Sequence, residues 1–541
     1  MQNRVRSYRR VLTAMLVMAV SGMCCAQTGT SEAWATNSSK RMEHQQAVAL
    51  DVSTKASARI TLDPTQTFQT IDGFGWMLNQ GSAKLLMGLP ADIRRATLEE
   101  LFGADGLRAS MVRVAIGACD LSESDYTYAD NKDETLSNFA IAQQDLSTVV
   151  PVLQEIITIN PKVKVLACAW TAPTWMKAGT AWYNPYVDGT LKTEYYNLYA
   201  DYFVKYVEAM AKWGIAVWGI SVQNEPLNGH NDPSMTWTKE AMYKFIAGSL
   251  GPKLHDSGHS NIRIIAYDHN CDVTDFPIYV AKSKYVYGTA FHLYAGDISA
   301  LSLVHNNTGK PVLFTEQYTG KDGNFGGDLS WHTKNVVLGA LNNMSTTALE
   351  WNLCSDPNYS IHTSGGCTTC KGALTVNGSN VSSRNVSYYI IGHASRVVDP
   401  GAVRIAAATT VSDVDYAAFR NPDGSIGVII YNDGGAKRIA IELPDALLDA
   451  QSDVLPNAQS DVLPNVQSDV LSDVGQQTLY ATHTMVSGGV LSVRIRPNRT
   501  TPVVNTMQTA PPIKRIVNGR LMIDHGGSSY DVLGRTIKTE R

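Results

Sequence analysis

Several protein classes are excluded by what this sequence has little of. Eight cysteines among 541 residues are too few and too scattered to build a disulfide scaffold. Beyond residue 26 no segment stays apolar long enough to cross a bilayer, which excludes an integral membrane protein. Positive charge is not in excess: 45 Lys and Arg face 49 Asp and Glu, a formal net charge of −4. That balance argues against nucleic acid and anionic membrane as partners. No Gly-x-Gly-x-x-Gly follows the first candidate strand, so nothing supports a dinucleotide site, and no cofactor or metal is expected. Cys367-Thr-Thr-Cys370 stands alone. Without a second pair it is a weak zinc signal, better met by a local loop disulfide or by two free thiols.

What is present is ordinary globular material, 44% apolar and 17% charged, behind an export-like leader. Arg4, Arg6, Arg9 and Arg10 precede the apolar stretch Val11–Val20, and Cys24-Cys25-Ala26 offers a small-residue exit. Residues 1–26 have the form of a secretory signal, too short for a permanent span. Its removal takes away four arginines and no acids, which leaves the mature chain at −8. The expected location is outside the cytoplasm: secreted, periplasmic or at the cell surface. A lipid anchor on Cys24 or Cys25 is the alternative, although Ser21-Gly22-Met23 makes a poor lipoprotein signature.

Residues 27–47 are polar and patternless and are expected to be a linker, and 48–68 to hold one or more strands of a β-sandwich, Arg59–Leu62 among them. From 69 to 394 short apolar runs alternate with amphipathic stretches. The candidate strands are Gln69–Gly75, Met111–Gly117, Val163–Ala169, Val217–Val222, Ile262–Tyr267, Tyr287–Leu293, Pro311–Thr315 and Thr346–Asn352. Helical periodicity with Gly stops marks Pro90–Phe102 and Tyr195–Trp213. Eight strands alternating with helices over some 320 residues predict an α/β fold, a (β/α)8 TIM barrel; an open doubly wound sheet is the rival. From 395 to 500 short strands and turns predict the appended β-sandwich, including the hairpin Tyr416–Arg420, Asn421-Pro-Asp-Gly424, Ile426–Tyr431. Within it lies an octapeptide repeat, Ala450–Asn457 and Ala458–Asn465, with a degraded third copy at Val466–Asp473. Such units cannot bury a core, and they read as a loop expanded by duplication. Residues 501–541 form a tail module.

Chemistry in a (β/α)8 barrel gathers at the C-terminal ends of the strands. Here those ends carry Cys119-Asp120, Trp170, Asn224-Glu225-Pro226, His292-Leu-Tyr294, Phe314-Thr-Glu316 and Trp351-Asn352. Carboxylates, an amide, a histidine and indoles on one rim suit a sugar, with hydroxyls at its edges and C–H groups on its faces. Glycoside cleavage needs two carboxylates, one protonated and one ionised. A lone strand-end Glu is more often a structural residue; two on roughly opposite strands change that balance.

Asn224-Glu225-Pro226 with Glu316 resembles the retaining (β/α)8 glycosidases. Further stretches narrow the resemblance to glycoside hydrolase family thirty, the group of glucosylceramidases and β-1,6-glucanases. They are Ile71–Gly75, Arg113 through Cys119–Ser122, Tyr126–Asp130, Trp170–Met176, Phe291–Tyr294, Phe314–Gln317 and Glu350–Leu353. The resemblance implies Glu225 as acid/base and Glu316 as nucleophile, with Asn224 on the sugar 2-hydroxyl. It implies that Asp120, Trp170 and Trp351 hold the glucose, and that Arg113, His292 and Tyr294 orient or tune the nucleophile, His292 and Tyr294 within the substrate pocket. Arg113 could instead neutralise a buried acid, His292 be a structural histidine, and Trp175 be core or platform. Tyr267–Asn270, Gly323–Gly327 and Gly365–Cys370 depart from the glucosylceramidase pattern towards polysaccharide-degrading members. Val517–Arg535 resembles a short C-terminal module of exported proteins from Bacteroides-like bacteria. The expected activity is retaining hydrolysis of β-glucosidic bonds in a β-glucan, β-glucoside or glucosylated lipid. A β-xylosidase and a catalytically silent carbohydrate-binding protein are the alternatives.

Overall fold

The computed structural model describes residues 29–444, 447 and 478–497, with the backbone of 513–517, 520–525, 528–530 and 536–537. The leader and the octapeptide repeat lie outside the described residues.

Small and β-branched side chains fit a sheet buried on both faces, and all eight apolar runs form strands. They are Gly73–Met77, Met111–Ile116, Lys164–Ala169, Val217–Ser221, Arg263–Cys271, Val286–Gly296, Val312–Glu316 and Ser345–Asn352. Each pairs with its successor and the eighth pairs in parallel with the first, closing the barrel. The first strand begins later than expected, because Gln69 and Thr70 end a long strand of the other domain, Ala58–Thr70. Gly75 is required where the first two strands meet: a Cβ there would lie 1.8 Å from the Met111 carbonyl oxygen.

Alternation along the strands separates packing from chemistry. Met111, Leu166, Ile265, Ala290, Leu313 and Leu349 fill the lower barrel as one apolar plug. Two residues further up those strands, the inward positions become Arg113, Cys168, His292, Thr315 and Trp351. The intervening Val112, Val114, Val165, Ala167, Phe314 and Ala348 face outward and pack with the helices. The helix Ala91–Phe102 starts after Pro90, buries Leu98, Leu101 and Phe102, and stops at Gly103. In Tyr196–Lys212 the buried Tyr199, Tyr202, Phe203, Tyr206 and Met210 repeat at helical spacing on the barrel side.

The second domain corrects one expectation. Residues 29–47, expected as part of a patternless linker, carry two strands, Gly29–Thr36 and the start of Glu43–Ala49. The first of them pairs along its whole length with Gly489–Pro497. Its small and polar residues hide the alternation, and the pairing comes from backbone hydrogen bonds to a distant partner. The strand is held further by Trp34, which stacks on His44 and lies under Arg396, and by Ser31, 2.9 Å from His483. The sandwich is one nine-stranded sheet folded over its own core, including Ile60, Leu62, Val428, Ile430, Ile441 and Val493. Its two ends meet through Gln45, which donates to the Thr484 carbonyl at 2.7 Å, and through an Asp51–Tyr480 bridge. The hairpin Val414–Arg420 and Ile426–Asn432 is present as expected. In the tail, Ile513–Val517, Arg520–His525, Ser528–Tyr530 and Thr536–Ile537 form an antiparallel sheet. Cys367 and Cys370 are joined in a disulfide, while Cys119, Cys168, Cys271 and Cys354 are free and buried. Among the described residues no helix is long and apolar enough to cross a membrane.

Candidate active site

Two strand ends leave regular geometry to aim their side chains into the barrel mouth. Glu225 has φ 46°, and its N–H donates to the Asp268 carbonyl at 2.9 Å. On the fifth strand Tyr267 and Asp268 have φ 73° and 60°, where the ladder is irregular. Left-handed backbone at two consecutive non-glycine residues is costly and is kept where the surroundings fix it. Here it turns the Asp268 carboxylate into the centre of the site.

Asp268 is fully buried and accepts from Ser221 Oγ at 2.6 Å, Thr315 Oγ1 at 2.5 Å and Arg113 Nη2 at 2.9 Å. The oxygen that takes the Thr315 hydroxyl, Oδ1, also lies 3.1 Å from His292 Nε2. Burial opposes its charge, but Arg113 and His292 hold the carboxyl well below the usual range. Arg113, also fully buried, forms an ion pair with Glu316 through Nη1 and donates through Nη2 to Asn224 Oδ1 at 2.7 Å. Arg113 therefore both neutralises a buried acid and grips Glu316. Tyr294 adds its hydroxyl to Glu316 at 3.0 Å. Glu225 receives the amides of Asn228 and Asn231, each at 2.8 Å, and faces His292 Nδ1 at 3.1 Å.

Glu225, Glu316 and His292 each place one ligand-type atom within 4.8 Å of the others. Three ligand atoms at that spacing could hold a cation, but the permanent charge of Arg113 on Glu316 opposes a second positive charge there. For a carboxylate pair, oxygens that close fit the short separation of retaining glycosidases, about 5–5.5 Å between carboxyl groups, better than the about 6.5–9.5 Å of inverting ones.

Trp170 and Trp351 stand beside the pair, ring centroids 5.6 Å apart, with Arg113 4.9 Å from the Trp170 ring. The buried Trp170 Nε1 has no hydrogen-bond partner within the protein. Asn224, its oxygen held by Arg113, keeps its amide N–H groups as donors. Asp120 is half-buried at the rim, and its backbone carbonyl accepts from Thr363 at 3.0 Å. Burial and the negative charges of Glu316 and Glu225 push its carboxyl up to about 7.

Within this cluster the His292 imidazole is the group most favoured to hold a proton. Burial works against its charge, but Glu316, Asp268 and Glu225 push the imidazole up to about 10. Burial would raise Glu225, yet the hydrogen bond and charge of His292 and the Asn228 amide hold it at about 2, whereas burial and repulsion from Glu225 leave Glu316 raised. That order is the reverse of what an acid and a nucleophile need. Geometry distinguishes the two glutamates: Glu316 carries a permanent cation and a phenol donor, both favouring a carboxylate. The low position of Glu225 comes chiefly from a proton one hydrogen bond away, and the three groups titrate as a unit.

Other expectations are redistributed. His292 has no exposed surface and both nitrogens on carboxylates, and it lies nearer Glu225 than Glu316 (3.1 against 3.7 Å). Tyr126 and Tyr128 serve the scaffold, each donating to Asp145 at 2.8 Å. Trp175 bonds the Ala129 carbonyl at 2.8 Å and packs on Tyr195. Glu350 points out of the barrel to His332, 2.7 Å away. Asp268 was missed. Its signal was an acid at the end of the fifth strand, in Tyr267–Asn270, a stretch assigned to substrate choice.

Fold and rim agree on a class, the O-glycosyl hydrolases. The chain belongs to glycosyl hydrolase family 30: the family's TIM-barrel domain matches residues 71–396 and its β-sandwich domain residues 401–460. It is 31% identical over 407 residues to the endo-1,6-β-D-glucanase neg1 of Aspergillus fumigatus, covering 70% of this chain and 82% of that one. It is 26% identical over 434 residues to the lysosomal acid glucosylceramidase of Mus musculus, covering 73% and 81%. Among solved structures, the endo-β1,6-glucanase BT3312 superposes with a TM-score of 0.73 at 31% identity, over 86% of this chain and 99% of that one.

Proposed function

We propose that this hydrolase is an exported, retaining enzyme of the endo-1,6-β-glucanase type, with Glu225 as acid/base and Glu316 as nucleophile. One observation carries the role assignment: an oxygen of each carboxylate lies within 4.8 Å of the other, and Glu316 alone bears Arg113 and Tyr294. The Glu316 carboxylate attacks the anomeric carbon as the bond to the leaving oxygen breaks. The proton for that oxygen passes from His292 Nδ1 through Glu225, across their 3.1 Å hydrogen bond, and its transfer leaves Glu225 ionised and His292 neutral. Glu225 then takes a proton from water, which attacks the glycosyl ester and releases Glu316. Asn224 and the unpartnered Trp170 Nε1 offer donors to the sugar hydroxyls, and the two indoles offer faces. The glucanase reading is supported by the identity to the fungal and BT3312 enzymes, and export by the leader-like residues 1–26.

The test is product analysis by NMR on β-1,6-glucan, gentiobiose, glucosylceramide, an aryl β-glucoside and an aryl β-xyloside. The expected result is internal cleavage of β-1,6-glucan with the β-anomer released first. Initial release of the α-anomer would overturn retention. Preference for glucosylceramide or for the xyloside would replace the polymer as substrate.

A further inference from the structure

After the third barrel strand the chain makes a hairpin, Lys177–Ala181 against Asn184–Leu191. Ala181 pairs with Asn184, so Trp182 and Tyr183 are the two residues of the turn itself. Such turns favour Asn, Asp or Gly, whose backbones bend freely. Neither turn residue has positive φ here, so the bend does not demand those residues, but two large aromatics at this tip gain no burial. Trp182 is 95% exposed and Tyr183 63%, with their rings edge-to-face at 5.7 Å. Exposed aromatic side chains that pack on nothing else mark candidate binding surfaces.

The base of the hairpin is firmly held. The buried Lys177 ammonium donates to Thr171 Oγ1 at 2.7 Å and to the carbonyls of Ser234 and Tyr186 at 2.9 and 3.0 Å. The hairpin is also tied to the loop that holds Glu225. Asn184 donates to Asp232 at 3.0 Å and to Asp125 at 2.7 Å, and Asn231, next to Asp232, donates to Glu225. Tyr183 is thus two side-chain hydrogen bonds and two peptide links from the Glu225 carboxylate.

We infer that Trp182 and Tyr183 form a distal sugar platform, on which a glucose unit of the same glucan chain stacks beyond the unit being cleaved. This rests on the polysaccharide reading above. A pyranose presents a flat C–H face to an aromatic ring, and Asp125 and Asp232 stand beside Asn184, next to the turn. Those same acids disfavour an anionic bilayer as the occupant.

The experiment compares wild type, W182A, W182F and W182A/Y183A on long-chain β-1,6-glucan and on an aryl β-glucoside. The expected result is a rise in KM for the glucan of about five- to tenfold in W182A, larger in the double variant and largely restored in W182F. The aryl glucoside should stay within about twofold in all variants, since it reaches only the cleavage site. Unchanged glucan kinetics would overturn the platform, and so would equal losses on both substrates. If wild type cuts a different polysaccharide instead, the glucanase reading fails while the same KM split on that polymer upholds the platform. If no polysaccharide is cut, or if W182A instead loses binding to neutral vesicles carrying glucosylceramide, the platform is overturned.

Discussion

Glu225 and Glu316 share one buried network but differ in what removal would expose. Glu316→Ala should abolish turnover with the fold intact, and azide should rescue activated glycosides to give the opposite anomer. A 2-fluoro glycoside should label wild type on the peptide carrying Glu316; a label on Glu225 would reverse the roles. Glu225→Gln should slow substrates with poor leaving groups far more than activated ones, and equal losses would argue against acid duty. Asp120 permits a test of a different kind. Its folded carboxyl titrates at about 7 against a reference of 3.8, so the folded state binds the extra proton between those values. Stability from this group is therefore lost as pH rises from about 4 through 7. Asp120→Asn should raise Tm by about 2–4 °C at pH 8 and leave it unchanged near pH 4, while kcat/KM falls about a hundredfold. A Tm difference independent of pH would refute the assignment. At this scale the sequence showed the residues but not their couplings. Asn-Glu-Pro and Phe-Thr-Glu announce themselves, whereas Asp268 depends on two left-handed residues that no local pattern encodes, and His292 changes partner only once the strands close.

The strands were legible because each keeps its apolar run and each run is bounded by turn residues. Gly75 shows how much a single position in such a run can decide. Pairing of the first strand with the second leaves no space at that Cβ, since the obstruction is the Met111 carbonyl, part of the backbone, and cannot rotate away. Gly75→Ala should therefore cost about 3 kcal/mol or more and give a lower Tm or insoluble protein; an unchanged Tm would show that the two strands can part. The loop after the eighth strand illustrates a different limit. Cys367-Thr-Thr-Cys370 left disulfide and thiols equally open, and only the folded loop, with Cys370 packed near Trp351, resolves it. Likewise Gly29–Thr36 hid its strand character because the information lies in the partner at Gly489–Pro497, not in its own side chains.

At the scale of the molecule, the sandwich is assembled from both sides of the barrel sequence, with Ala58–Thr70 lying between Val403–Thr409 and Lys437–Leu443. Removing residues 1–50 should uncover the flank of Gly489–Pro497 and lower Tm by several degrees or cause aggregation, read by scattering and calorimetry. Soluble protein of unaltered Tm would mean that the strand Gly29–Thr36 is dispensable. The same pairing sets an order on biogenesis. Gly29–Thr36 leaves the ribosome long before Gly489–Pro497 exists, so for tens of seconds of translation its edge has no mate. The barrel can close in that interval and the sandwich cannot. A stalled or truncated chain would therefore hold a finished barrel beside an open, adhesive edge, the species that chaperones and proteases would meet first.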